Sequence, residues 1–276
     1  MKNTEYDTTD KKINSADKRR ISAKAVFFVC FAIVAATALL ICATPIFQIS
    51  NIEINGNSYY SHIDILDKSG LRIGQNGLLA LRGRNAVKIL SLRCDAAERA
   101  AASACPYIKT VQVRYIPPNK VRIEIEERGK SVVVPYYNTG LLIDDEGIVV
   151  DIVRDCLQPG LPVAHGLAVA SYNIGKPLQS GDGDRLVELL AVVSALRQAD
   201  RESEEALLPS VASIDVGDPR NITLSLNGNL TINLGDGGEL YYRVSAAKEI
   251  LARGIAEGEE GSIVFYNGAR PVFMPG

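Results

Sequence analysis

Histidine is scarce in this chain. His62 and His165 are the only two in 276 residues, and neither has a cysteine or serine motif beside it, so a catalytic triad and a zinc centre both lack their usual ligands. Net charge is nearly absent as well. With 30 Lys and Arg against 32 Asp and Glu, the formal charge is −2, and beyond the first two dozen positions the basic residues are dispersed, leaving no cationic stripe for a polynucleotide backbone. Cysteine occurs five times, never as CxxC. Cys30 and Cys42 fall inside a long apolar run, and Cys94, Cys105 and Cys156 are an odd number for a disulfide framework. If Asp95 to Ala104 is helical, Cys94 and Cys105 stand at its two ends, about 16 Å apart and beyond disulfide reach. They read as small core residues.

The remaining chemistry-bearing groups read as scaffold. Asp144, Asp145 and Glu146 precede Gly147 between two apolar strands and suit a turn better than an acid–base pair. The glycines of GDGDR and GDGGE lack the spacing of a phosphate-binding loop. No catalytic, cofactor-binding or metal-ligating residue is assigned, and a non-enzymatic protein is expected.

What is present is a long uncharged run. Ala25 to Phe47 carries no charge, and about 20 such residues cross a bilayer core as a helix. Lys11, Lys12, Lys18, Arg19, Arg20 and Lys24 precede it, and no Lys or Arg follows until Lys68, so the positive-inside rule keeps the N-terminus cytoplasmic. A long polar leader and a poor small-residue cleavage pattern argue against a signal peptide. The expected layout is a cytoplasmic tail over 1–24, a transmembrane helix over 25–47, and extracytoplasmic residues from Gln48 onward, a single-pass type II topology in the cell membrane.

After the run, Ile49, Ile52 and Ile54 form a strand ended by Asn55-Gly56. Ser61 with Asp64 resembles a capping box, and Gly70 suits a left-handed stop, giving a helix from about Ser61 to Ser69. Asp95 with Glu98 signals a second capping box and a helix ended by Pro106, while Gly77 to Arg93 has no clear period. Val111, Val113 and Tyr115, then Val121, Ile123 and Ile125, alternate with polar residues around Pro117-Pro118-Asn119, an antiparallel hairpin with one buried face. The order is β-α-α-β-β over 48–128. Residues 129–273 form a second, β-rich domain: strands in SVVVPYY and LLIDDEGIVV, a helix near 183–199 striped by Leu186, Leu189, Leu190 and Val193, a hairpin turning at Asn227-Gly228, a helix striped by Leu240, Val244, Ala247 and Leu251, and a strand from Ser262 to Asn267. The fold class is α+β.

NIEINGN, SGLRIGQN, PYIKTVQV and an Ile-Pro-Pro-Asn turn leading to VRIEIEER, in that order, resemble a POTRA domain. Behind one short-tailed membrane helix, and followed by TGLLIDDEGIVV and LGDGGELYYRVSAAKEIL, they resemble the bacterial cell-division family FtsQ/DivIB over about Lys18 to Phe273. Two departures are visible: the segment from Leu81 to Arg93 is longer than the compact pattern, and Val264 stands where the family commonly has Asp. The resemblance implies an N-terminal transmembrane helix, a POTRA domain and a mixed β-rich domain with two helices. It also implies a membrane-anchored scaffold at the division septum that recruits and connects division proteins, including those of the FtsB/DivIC and FtsL type. A POTRA module for moving or assembling polypeptides would be expected with several repeats or a barrel, and an extracytoplasmic enzyme would need a nucleophile–base pair. Strand addition at an exposed edge is the expected binding mode, with the POTRA hairpin and the C-terminal strand as the two candidate edges. Val121, Ile123 and Ile125 suit the core, so docking is expected at Ile263, Val264, Phe265 and Tyr266, with Tyr241 and Tyr242 on the preceding helix and Val272 and Phe273 after the Asn267-Gly268 turn.

Overall fold

In a computed structural model that describes residues 23–42, 44–203, 205–226, 230–254, 260–265 and 271–276, the first element is α1 (Ala23–Cys42), twenty residues without Asp or Glu. Its hydroxyl is satisfied within the helix, since Thr37 Oγ1 lies 2.9 Å from both the Ile33 and Val34 carbonyls. The helix stops ahead of Pro45, which has no N–H to continue the ladder and clashes with the preceding turn; Pro45–Phe47 forms one 3-10 turn. This corrects the expected helix over 25–47, whose helical part ends at Cys42. Among the described residues no helix is long and apolar enough to cross a membrane. The expected tail lies almost wholly outside the described residues.

A second compact unit begins at Gln48. Its first part contains β1 (Asn51–Asn55), α2 (His62–Ser69), α3 (Gly77–Ala80), α4 (Ala86–Leu90), α5 (Asp95–Ala104), β2 (Ile108–Ile116) and β3 (Lys120–Glu127). The start and stop of α2 follow from local chemistry: Ser61 accepts the Asp64 N–H, Asp64 accepts the Ser61 N–H, and Gly70 closes the helix at φ 70°. The unassigned stretch becomes two short helices, because Asn76 and Asn85 each accept two backbone N–H groups through Oδ1. The capping box expected at α5 is absent. Cys94 occupies the cap without a side-chain bond, since Asp95 accepts the Arg84 N–H (3.0 Å) and Glu98 reaches away to Val113 and Arg93.

The three strands run in the order β1-β3-β2, with β1 parallel and β2 antiparallel to β3. Val113 faces Ile123 and Tyr115 faces Val121 on the buried side, while Arg114 and Arg122 pair on the wet side. Behind them pack Ile65, Leu71, Cys94, Ala97, Ala101 and Cys105. Burial pushes the Cys94 thiol up to about 11, so it is an inert core group. Gly77 is required where it stands: a Cβ there would lie 2.0 Å from the Tyr115 ring.

The second part runs through β4 (Val132–Tyr136), β5 (Thr139–Ile143), β6 (Val149–Val153), β7 (Val163–His165), β8 (Val169–Ser171), β9 (Gln179–Ser180), α6 (Gly183–Arg201), β10 (Val211–Asp215), β11 (Ile222–Leu226), β12 (Leu230–Gly235), α7 (Leu240–Gly254), β13 (Gly261–Val264) and β14 (Val272–Pro275). Nine strands form one mixed sheet in the order β14-β13-β12-β11-β10-β7-β4-β5-β6. Leu189, Val193 and Leu196 of α6, with Val244 and Ala247 of α7, pack on its inner face against Ile143, Ile214, Leu224 and Ile232. The Asn227-Gly228 turn falls outside the described residues.

On the outer face, Val133, Leu142 and Val150 pack with Tyr107, and Tyr60 joins them from the small domain. Tyr107 stacks on Tyr59 at 3.8 Å and donates to Asp151 at 3.0 Å; burial and this carboxylate both push its phenol pKa upward. The acidic triplet belongs to the same junction. Asp144, fully buried, accepts the N–H groups of Glu146 and Ile148 and pairs with Arg128 at 2.5 Å, while Glu146 bridges Arg128 and Lys109. Asp145 pairs with Arg197 at 3.4 Å. These carboxylates close a turn and join two sheets.

Candidate partner-docking surface

The seat of α7 is set by one partly buried ion pair and one buried arginine. Lys248 Nζ stands 2.6 Å from Asp200 on α6, and Asp200 also accepts the Leu207 and Leu208 N–H groups. Arg243, nearly buried, donates to the Leu234 carbonyl and to Asp236 within the GDGGE turn, where Gly235 and Gly237 adopt positive φ. In the first turn of α7 Leu240 packs against the core, while Tyr241 and Tyr242 are exposed. The Tyr241 hydroxyl donates to Glu202 beyond the end of α6, and both residues line an open cleft of about 570 Å³ with Ser203, Ser245 and Lys248.

The sheet places the other expected residues on two strands. β13 runs parallel to β12 and antiparallel to β14, so both its flanks are paired. This corrects the expectation that Ser262 to Asn267 forms the edge: the edge is β14, a strand the sequence reading did not assign. Gly261 permits the approach, since a Cβ there would lie 2.5 Å from the Met274 carbonyl. Alternation divides the residues. Ile263 and Phe265 are buried in the core and Phe273, opposite Ile263, packs against it; Val264, opposite Val272, lies on the outer side with Met274. Val272 is 50% and Met274 45% exposed. Tyr266 lies outside the described residues, as does the Asn267-Gly268 turn.

Backbone direction follows from two bonds. The Phe265 N–H donates to Asn233 of β12, and the Gly276 N–H donates to Glu260 beside β13. Residues 272, 274 and 276 therefore turn their N–H groups toward β13, and Phe273 turns its N–H and carbonyl away from the sheet. Pro275 has the same outward parity and no N–H.

The other candidate edge is partly occupied. Along the outer side of β2, the Val113 N–H donates to Glu98, the Val113 carbonyl accepts from Cys94, and the Tyr115 N–H donates to the Leu92 carbonyl. At the far end of the large sheet, the Val149 N–H and carbonyl are bonded to Lys176 and Gly175. Among the described residues no group of three or more His, Cys, Asp or Glu side chains is placed to hold a metal ion.

Residues 47–128 match the family model for the POTRA domain, FtsQ-type, and residues 134–263 match that for the cell division protein FtsQ/DivIB, C-terminal. The chain is 24% identical over 268 residues to the cell division protein DivIB of Clostridium botulinum strain Hall, covering 96% of each. It is 23% identical over 222 residues to the cell division protein FtsQ of Corynebacterium glutamicum, covering 79% of this chain and 84% of that one. A third relative, the cell division protein FtsQ of Myxococcus fulvus, is 26% identical over 216 residues, 77% of this chain and 68% of the other.

Proposed function

Because this chain belongs to the FtsQ/DivIB family of cell division proteins, we propose that it acts in septum formation as a membrane-anchored scaffold. The uncharged residues 25–47 cross the cytoplasmic membrane with the N-terminus inside, and the domains over 48–128 and 129–273 stand outside it at the septum. Partners of the FtsB/DivIC and FtsL type add a strand at β14, gaining main-chain hydrogen bonds along the edge and selectivity from Val272, Met274 and neighbouring side chains. Tyr241 and Tyr242 offer a second, aromatic contact beside the cleft.

The observation that carries this reading is the terminal edge itself, with the Phe273 N–H and carbonyl directed outward next to two exposed apolar side chains. Two variants test it in full-length protein extracted from membranes. Phe273→Ala and Phe273→Pro lose the same ring packing, but only the second loses the outward donor. Capture of an FtsB/DivIC-type partner should fall about tenfold further for proline than for alanine, with circular dichroism unchanged between the two. Wild-type recovery by both folded variants would move docking to the POTRA domain. For topology, protease added to intact protoplasts should digest the residues after Gln48; their protection, or a mature N-terminus near Ala43, would overturn the anchor.

A further inference from the structure

Between Leu71 and Cys94 the chain carries five basic residues and no Asp or Glu, a local bias at odds with its balanced total. Lys88 and Arg93 turn inward onto Glu98. Arg72, Arg82 and Arg84 remain exposed, and among them stand four large apolar side chains that the core does not use: Ile73, Leu79, Val87 and Leu90, between 64% and 85% exposed. A small domain that exposes this many apolar groups beside cations has an interaction surface, and its chemistry is that of a peripheral membrane contact.

Connectivity says which end of the domain this is. Gln48, the first residue of the unit, follows directly on the apolar run and bridges Asn76. The Ile49 N–H donates to Gln75 and its carbonyl accepts from Gly74, both at 2.8 Å, so Ile73 and Leu79 flank the point where the chain enters the domain. Tyr115, whose ring lies over Gly77, donates its N–H to Leu92, two residues past α4. The two short helices thus belong to the chain-entry end.

We propose that this surface, Arg72, Arg82 and Arg84 with Leu79, Val87 and Leu90, lies on the membrane and takes anionic phospholipid headgroups, its apolar side chains dipping to the headgroup–acyl boundary. The inference rests on the reading that 25–47 is a membrane span. Through this contact the long Leu81–Arg93 segment fixes the orientation of the POTRA domain against the bilayer.

The chain has no tryptophan, so a single one reports cleanly. Full-length Leu90→Trp protein is reconstituted into vesicles of acyl-brominated phosphatidylcholine, with or without brominated phosphatidylglycerol, and Tyr137→Trp, at a position 90% exposed in the β4–β5 turn, serves as reference. With phosphatidylglycerol at low salt, Leu90→Trp emission should shift blue and be quenched, while Tyr137→Trp should not change. Replacing any one of the three arginines with Gln should weaken the quenched state about fivefold, and high salt should release it without any mutation. Quenching that is absent, or equal in the two lipids, in protein that resists an alkaline carbonate wash would overturn the proposal while leaving the anchor intact. A shift that appears only when a division partner is co-reconstituted would assign the surface to a protein and also overturn it. Loss of the chain in the wash would remove the anchor, and this proposal with it.

Discussion

The outer strand of the small sheet and the last strand of the large one treat their backbone edges in opposite ways. β2 is nine residues long, the kind of edge that templates another chain, yet the N–H and carbonyl of Val113 and the N–H of Tyr115 are taken by the Glu98 carboxylate, Cys94 and Leu92. β14 is four residues long, bears a proline, and among the described residues is covered by no further strand. A well-held carboxylate can therefore take an outward N–H of an edge strand. Glu98 does this because Arg93 and Lys88, at 2.7 and 2.8 Å, neutralise it in place. The contrast also explains why the longer alternating hairpin is core and the inconspicuous C-terminal tetrapeptide is the docking candidate.

Removing that charge should give the largest effect. In Glu98→Ala, Val113 loses its acceptor, Arg93 loses its carboxylate and Lys88 keeps only Asp95, in a site where the glutamate is 3% exposed, a change of about 3–5 kcal/mol for a broken buried pair. Urea unfolding of full-length protein measures it, and a loss below about 1 kcal/mol would mean that the closure is ornamental. Next in size is Val264→Pro. Both flanks of β13 are paired, so the ring breaks an inner ladder bond and should cost about 3 kcal/mol, whereas Phe273→Pro should stay within about 1 kcal/mol of Phe273→Ala. Equal costs at the two strands would show that β14 is not an edge.

Acid should separate the two edges by a smaller margin. Burial alone would raise the Glu98 pKa, but hydrogen bonds from Arg93, Lys88 and the Val113 N–H outweigh it and hold the carboxyl below its ordinary 4.5. A carboxyl depressed in the folded state contributes stability that is fully present above its unfolded value and is lost as pH falls below 4.5 toward the folded one. Asp95 is depressed as well: its own desolvation is outweighed by bonds from the Arg84 N–H and Lys88. Hydrogen exchange, corrected for its intrinsic pH dependence, should therefore show Val113 and Tyr115 losing protection at a higher pH than Ile263 and Phe265. Simultaneous loss at all four would mean that the acidic pair does not control the small sheet.

How much of this was legible in the sequence depended on how local the physics is. The capping box of α2 and its Gly70 stop involve neighbours within a few residues, and the period-two hairpin announces its own buried face; both stand in the structure as expected. Glu98 was misread because the same Ser/Asp-x-x-Glu spacing serves a cap only when the carboxylate has nothing better to do. Its actual partner, the Val113 N–H, is fifteen residues away and comes into reach only when α5 packs on β2. Asn76 and Asn85 carried a usable cap signal for α3 and α4, hidden by the shortness of both helices. β14 was missed because PVFMPG, bracketed by Pro271 and Pro275, lacks the length of a strand; its role comes from the facing β13 and from Gly261, which permits the approach. Hence the sheet edge was placed one strand too early in the sequence.

Pro275 offers the smallest change and the finest test of the contrast. It stands at an outward-facing position of β14, opposite Gly261, where a proline gives up no bond to β13 and withholds one donor from anything approaching the edge. Pro275→Val restores that donor in a residue suited to strands, and because the inner ladder is untouched, unfolding stability should move by no more than about 0.5 kcal/mol. Association should respond instead. Full-length protein in detergent should sediment with more dimer than wild type, or capture more of a strand-adding partner, since the edge now presents two outward N–H groups, at 273 and 275, where it had one. The sign is fixed by geometry: an added donor on an accessible edge favours pairing, whereas an added donor facing protein would be buried unpaired and would destabilise the fold. Unchanged association together with unchanged stability would mean that β14 is as closed as β2, and strand addition at the C-terminus would have to be abandoned.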